Sequence, residues 1–590
     1  MALTQRQTWI ATAYCALLAA LSIALQGYHF GGGNQAFYIA YSLRLDELPQ
    51  FHSDPFYQTL PNFVSAFWWL VRQFATDENI DSVFLALHYL GRAAGFAALG
   101  YMLLQLGLRH SQSAVVLLVL AASPLLNGST PVGFHGLFVN DLTHSSMAWP
   151  FVVLALVFAT RSRWTLAAFM AAIAFDINAF VGIWTVCACA VLVFSQRTTF
   201  NLTVLGKAAS VFTVIALPVV IWILKATHDQ ADAAPFDYRE YIRGHYAAHF
   251  LIENAKAVDL AQMLCGWIVY SFAARRLGAR AWLTVLLTFM ALFAIGCIAP
   301  YLLNSRNLFN LHLLRVDGAI QFIGLALATA CAIRLAGTDD SAFDRSLSLL
   351  ILLGVATGYM APAATAVIAI LLVRPARLVW IAALALAVMF GLFVHAGKVE
   401  GMLFAVAVLL LLVAQSSPAR WPSAPFWAKA IVVVVLASAG WAIQWRNQVM
   451  PTPEQAARDA DWLAAAEWIR ANHIGETVLV PLATNVGVNT DQSFQLLTRT
   501  PTWVEWKQGS AVMWAPRYYH VWRERLDGVE PLRDAPALAD YARAHDIHIF
   551  VAPNGPAGEV CGGAAPLSQF RHFSVCRIVA TPGTEPNGSA

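Results

Sequence analysis

Long apolar runs recur along most of this chain, and they constrain its fold more than any motif does. The first is "WIATAYCALLAALSIALQG", Trp9 to Gly27. Others follow near 84–108, 114–126, 147–160, 164–175, 178–195, 208–224, 259–274, 281–300, 316–334, 346–360, 361–373, 378–395, 400–415 and 427–445. A helix that spans a bilayer needs about 20 mainly apolar residues, so the pattern predicts a polytopic α-helical membrane protein with about 13–15 transmembrane helices. Composition agrees: 12% of residues are charged, against about 25% in soluble domains. The first run is longer than the apolar part of a cleaved signal peptide and lacks a small-residue cleavage site, so it is expected to stay as a helix. No basic stripe or nucleic-acid-binding motif is present, and nucleic acid is not an expected partner.

Segment 164–195 is too long for one straight span, and Asp176 and Asn178 interrupt it. An ionisable residue inside an apolar run is costly and usually faces a cavity or a partner, which makes Asp176 a candidate site residue. Orientation follows from Lys and Arg in short loops. "RHSQS" (109–113), "RSR" (161–163), Arg275, Arg276 and Arg280, "RPAR" (374–377) and "SSPARWP" (416–422) fall on one side, the cytoplasmic one. The N-terminus is then inside, and the loops at 28–83, 128–146, 225–258 and 301–315 are outside.

The outer loops are long, and long loops are where function concentrates. The first holds "RLDELPQFHSDPFYQTLPN" (44–62), with Asp46, Glu47, His52 and Asp54. "FVSAFWWLVRQFA" (63–75) has helical apolar spacing and two tryptophans, and is expected to lie in the membrane interface. "NQAFYIAYSLRL" (34–45) is expected to be a second such helix. Asp54, between them and before Pro55, can serve as general base to a hydroxyl delivered at the surface, or ligate a divalent cation. Asp141 in "FVNDLTHSS" is a second carboxylate, with His135 upstream and His144 three residues on. "YIRGHYAAH" supplies Arg243, His245 and His249, and "NSRNLFNLHLLRVD" supplies Arg306, His312 and Arg315. Arginine matches phosphate oxygens with a two-pronged fork, so a phosphate at the outer interface is a natural ligand.

Domains are expected at 1–446 (membrane) and 452–590 (outside). In the second, "TVLVPL" (477–482), "IHIFVAP" (547–553) and "HFSVCRIVA" (572–580) read as strands, with helices between, hence a small α/β domain. Six cysteines lie in apolar runs and behave as small hydrophobes. Cys561 and Cys576 fall in the outer domain, where an oxidising compartment permits a bridge.

The segments "GGGNQAFYIAYSLRLDELPQFHSDPFY" and "RTPTWVEWKQGSAVMWAPRYYHVWRERL", with the long acidic first loop and outer α/β domain, resemble bacterial GT-C-like membrane proteins. The GT-C superfamily comprises glycosyltransferases that take sugar from a polyprenyl phosphate or pyrophosphate carrier. The resemblance implies a multi-pass protein of a bacterial inner membrane. It further implies a polyprenyl-phosphate sugar donor, membrane lipids, and a glycan, lipid or protein acceptor as partners. In GT-C enzymes an acid commonly follows the first helix closely. Here "GYHFGGGNQ" (27–35) has none, so Asp46, Glu47 or Asp54 must fill the role, and Asp54 is the choice. Asp54 is then the expected base, Asp141 assists or positions a metal, and Arg315, with Arg243 or Arg306, holds the donor phosphate. The other classes open to such a chain are a transporter or flippase for a lipid-linked or glycan substrate, and a non-catalytic polysaccharide-assembly protein.

Overall fold

The computed structural model of the chain describes residues 5–196, 201–336, 342–372 and 452–578, apart from 474, 491 and 556–559. The fold is mostly helical, with one small sheet formed after residue 477. Six described segments are long and apolar enough to cross a membrane: Gln5–Gln26, Ile80–Gln105, Leu202–His228, Ala257–Arg276, Arg280–Leu302 and Arg306–Ala336. Helices His110–Ala121, His144–Thr160, Trp164–Ile177 and Ala179–Ser195 are apolar but shorter. With a rise of 1.5 Å per residue, the 14 residues of Trp164–Ile177 cover about 21 Å of a hydrocarbon core about 30 Å thick. By length, then, six described segments reach this measure; the 13–15 expected spans include runs outside the described residues. The predicted runs 378–395, 400–415 and 427–445, and the basic loops 374–377 and 416–422, lie outside the described residues.

The interruption predicted at 176–178 is a true break. Asn178 leaves helical geometry (φ −145°, ψ 104°), and its side-chain oxygen accepts from the backbone N–H groups of Phe180 and Val181, capping Ala179–Ser195. This is the usual way a short polar side chain satisfies the first amides of a helix. The Asn178 amide also donates to Ser145 Oγ (3.0 Å), fixing the break against helix His144–Thr160.

The chain divides into two compact units, and the division departs from the one read in the sequence. The helical unit takes its residues from 1–28, 84–217 and 237–448. The second unit joins 29–83 and 218–236 to the residues from 449 onward. The first loop therefore folds with the C-terminal segment, not with the helices that flank it in sequence. Gly32 pairs with Gln492 as an isolated antiparallel bridge, Arg499 ion-pairs with Asp77 (2.8 Å), and Phe37 and Phe63 meet Trp514 edge-on. All eight residues of helix Gln35–Ser42 are buried in this unit. It is a core helix, not one lying on a bilayer. The second helix expected to lie there shortens to Ala66–Val71, with Phe67, Trp68 and Val71 inward and Trp69 and Leu70 exposed.

In the same unit, β1 (Val478–Leu479) pairs parallel with β2 (Ile549–Pro553). Strand β4 (Phe573–Arg577) pairs antiparallel with β2 and with β3 (Ala565–Gln569), in the order β1-β2-β4-β3. Strand β3, "APLSQ", carries a proline and little apolar alternation, so it gives no strand signal in sequence; as an edge strand it tolerates Pro566. Helix Pro453–Asn472 buries Trp462, Ala465, Ala466 and Ile469 in a core with Val478, Ile549, Val551 and Val575. Cys561 and Cys576 are bridged, with Cα atoms 5.5 Å apart, so β4 is tied to the turn preceding β3.

Candidate functional site

The predicted site residues separate between the two units. Asp46, Glu47, His52 and Asp54 belong to the second; Asp141, His144, Asp176, Arg243, His249, Arg306 and Arg315 belong to the helical unit.

In the second unit the carboxylates are already engaged. Asp46 takes both ends of the Arg72 guanidinium (3.0 and 3.2 Å), and Glu47 takes one (2.6 Å). Arg72 also lies over the Tyr41 ring and donates to the Tyr41 carbonyl. His52 is exposed, with Nε2 3.2 Å from the Glu47 carbonyl oxygen. Asp54 is 6% exposed. Its Oδ1 accepts from the N–H groups of Phe56 (2.9 Å) and Tyr57 (3.1 Å), and its Oδ2 accepts from Gln495 Nε2 (3.2 Å). Pro55 holds the backbone for this local turn. Gln495 is in turn bonded by Gln508, and its backbone N–H donates to Glu505 Oε1 (2.7 Å). Burial pushes the Asp54 carboxyl up to about 6, against the opposing pull of its hydrogen bonds. Glu505 is also raised, by burial first and by the Asp54 charge last. Asp54 is thus a buried joint between the first loop and the C-terminal segment, a role the sequence reading did not assign.

The helical unit gathers the basic residues. Loop 128–137 closes as a small hairpin: Ser129 bridges Gly136, and Thr130 N–H donates to the His135 carbonyl (3.0 Å). His135 is 1% exposed and stands edge-on to Trp149 and Trp184. Neither of its ring nitrogens has a hydrogen-bond partner. Room for the ring comes from Gly318, where a Cβ would lie 2.6 Å from His135 Cδ2. At the hairpin tip, Gly133 (φ +73°) accepts at its carbonyl from His249 Nδ1 (3.1 Å). A Cβ on Gly133 would strike the Leu314 carbonyl at 2.7 Å.

Across from the hairpin runs 311–316. His312 has left-handed backbone (φ 50°, ψ 43°), a strained state for a residue with a Cβ and one that clusters at functional sites. Its ring packs on Phe180 and Phe250. Trp184 Nε1 donates to the Leu311 carbonyl (3.0 Å) and pins the turn. Arg315 follows, half-buried, in the 3-10 turn Leu313–Val316. Burial first, then the charge of Arg315, then His312, His144 and His249, hold His135 well below the usual imidazole value, so it is neutral at pH 7. These five residues, scattered from 135 to 315, act on one another in the fold.

The remaining candidates stand as follows. Arg92, which sequence reading passed over inside an apolar helix, is buried and donates to Ser22, Gln26 and the carbonyls of Phe138 and Val139. It holds the segment that leads to Asp141, whose charge acts on it. Asp176 is half-buried, and its Oδ1 accepts no hydrogen bond. Arg243 is committed at the surface to Glu253 (2.9 Å) and Glu240 (3.4 Å). Arg306 starts the short helix Arg306–Asn310, and its charge acts on Tyr238. Among the described residues, no group of three or more His, Cys, Asp or Glu is placed to hold a metal ion. A scan against protein-family models gave no match, and neither did a search of curated proteins.

Proposed function

We propose that this chain is a multi-pass membrane protein of the GT-C glycosyltransferase type, which takes a sugar from a polyprenyl-phosphate carrier at the outer face of a bacterial inner membrane. The observation that carries this reading is His135: a buried imidazole, with neither nitrogen hydrogen-bonded, among Arg315, His312, His144 and His249. A buried polar group without a partner costs free energy. An anion with several oxygens, such as a phosphate, would satisfy it, and Arg315 supplies the permanent charge. Six apolar helical segments long enough to cross a bilayer support the membrane setting. The first loop and the C-terminal segment fold as one unit, so they share one side of any membrane the helices cross.

In this reading Arg315 and the histidines hold the donor phosphate. Asp141, half-buried and three residues before His144, accepts the proton of the acceptor hydroxyl. Asp54 serves the framework, because its oxygens are buried and taken, and a base must come within hydrogen-bond reach of the proton it removes. Arg243 is left to its surface ion pairs. As the acceptor oxygen bonds to the anomeric carbon, the bond to the carrier phosphate breaks, and the phosphate leaves with that electron pair under Arg315.

The test is donor consumption by the purified full chain with polyprenyl-phosphate hexoses, for wild type and Arg315→Gln. Wild type is expected to release polyprenyl phosphate, and the variant to lose about 100-fold or more of the rate, the size of effect typical of removing one transition-state donor. Unchanged donor, with vesicle assays showing the lipid-linked sugar moved across the bilayer, would replace transfer by transport. Equal rates in both proteins would remove Arg315 from the site.

A further inference from the structure

A second polar feature lies in the helical unit, beside the histidine cluster: Asp317 is two residues from Arg315 and next to Gly318, which seats the His135 ring. Asp317 opens helix Asp317–Ala336, in which every residue from 317 to 332 is buried. Trp267 Nε1 donates to its Oδ1 (2.7 Å). Its Oδ2 is buried and accepts no hydrogen bond. Asp317 lines a crevice just large enough for one water molecule, together with Gln262, Gln321, Trp267 and Tyr270. Both glutamines have their amide nitrogens engaged: Gln262 donates to the Gly358 carbonyl (2.9 Å) and Gln321 to the Leu125 carbonyl (2.6 Å). Each amide keeps a second N–H and its carbonyl oxygen beside these bonds, and the oxygens are the groups that a cation in the crevice would use. Among the described residues that line it, Tyr270 is the only other titratable one. Its ring is seated where a Cβ on Gly324 would lie 2.3 Å from Tyr270 Cδ2.

A lone carboxylate in such a place is costly unless a cation or proton neutralises it. The crevice offers oxygen donors and one negative charge, which match a single positive charge. A divalent ion would ordinarily call for more carboxylate ligands. We propose that Asp317, with the amide oxygens of Gln262 and Gln321, forms a site for one monovalent cation, a proton or a sodium-sized ion, inside the helical unit. The site is independent of the phosphate reading. It gives the chain a means of responding to proton or sodium concentration.

Dicyclohexylcarbodiimide modifies carboxyls that carry a proton in apolar surroundings, so it probes this site without an activity assay. The full chain in detergent is treated between about pH 5 and pH 8, in sodium chloride or in N-methylglucamine chloride, and the Asp317 peptide is read by mass spectrometry. Melting temperatures are measured in the same two salts. A sodium-sized ion is expected to suppress the Asp317 adduct and raise the melting temperature, and Asp317→Asn is expected to lose that rise. A proton site is expected to give an adduct that grows as pH falls and ignores sodium. No adduct at any pH, with equal melting temperatures in both salts, overturns the proposal. So does a sodium-dependent rise that Asp317→Asn retains, because the ion then binds elsewhere.

Discussion

Replacing Asp54 by Asn should remove a pH dependence from the stability of the fold. Burial pushes the Asp54 carboxyl up to about 6, whereas an unfolded chain titrates near 4. The folded state therefore holds this proton more tightly than the unfolded one, the reverse of a salt-bridged carboxylate. Stability is full below about pH 4, falls as pH rises through about 4 to 6, and is flat above about 7. A difference of about two pH units is worth about 3 kcal/mol. Asn keeps the size of the side chain, and its oxygen can still accept from Phe56 and Tyr57 N–H. Its amide replaces Oδ2 opposite Gln495 Nε2 and loses that bond, an offset of about 1–3 kcal/mol that does not vary with pH. The assay is guanidinium unfolding of the detergent-solubilised full chain, followed by tryptophan fluorescence from about pH 4 to pH 7. The wild-type stability minus that of Asp54→Asn cancels groups that the Asp54 charge does not reach, including His135. That difference should grow by about 3 kcal/mol as pH falls across the window. A difference independent of pH would show that Asp54 titrates alike in both states, and the buried joint described above would not stand.

Two further outcomes follow from the fold. Replacing both Cys561 and Cys576 by Ser frees a loop of sequence separation 15 and should destabilise the second unit by about 3 kcal/mol; equal unfolding midpoints for wild type and variant, with wild type kept oxidised, would remove the bridge from the stability of the unit. A reporter that works only outside the cytoplasm, fused after residue 578, should be active if the short loops rich in Lys and Arg are cytoplasmic, as the sequence predicts; cytoplasmic activity there would invert the orientation.

How much of this was legible in one dimension follows from the range of the forces involved. Apolar runs and local capping act within a few turns of helix. The long apolar helices accordingly lie where the apolar runs are, and the chain breaks at Asn178, whose side chain caps its own successor. Strands β2 and β4 were readable from their β-branched, buried patterns. The cysteine pair was readable from its setting in a polar segment. Strand β3 was not, because an edge strand with a proline is made by its neighbour's hydrogen bonds, not by its own composition. The expected interfacial helix at 34–45 failed for a related reason. An apolar helix beside a bilayer and one inside a protein core carry the same pattern, and only the partner surface distinguishes them.

The sequence by itself determined that this chain is built of apolar helices with long polar loops and a C-terminal segment of mixed strands and helices, since burial of apolar surface depends on composition and periodicity. Tertiary structure decided what the polar residues do. Asp54 meets Gln495, 441 positions away, and becomes a buried joint; His135, His144, His249, His312 and Arg315 come together from three stretches of sequence; Asp317 is left with one oxygen unpartnered. Hydrogen bonds and charge interactions act over a few ångströms of space whatever the distance along the chain, so the same residue type is solvated, structural or reactive according to what the fold brings beside it.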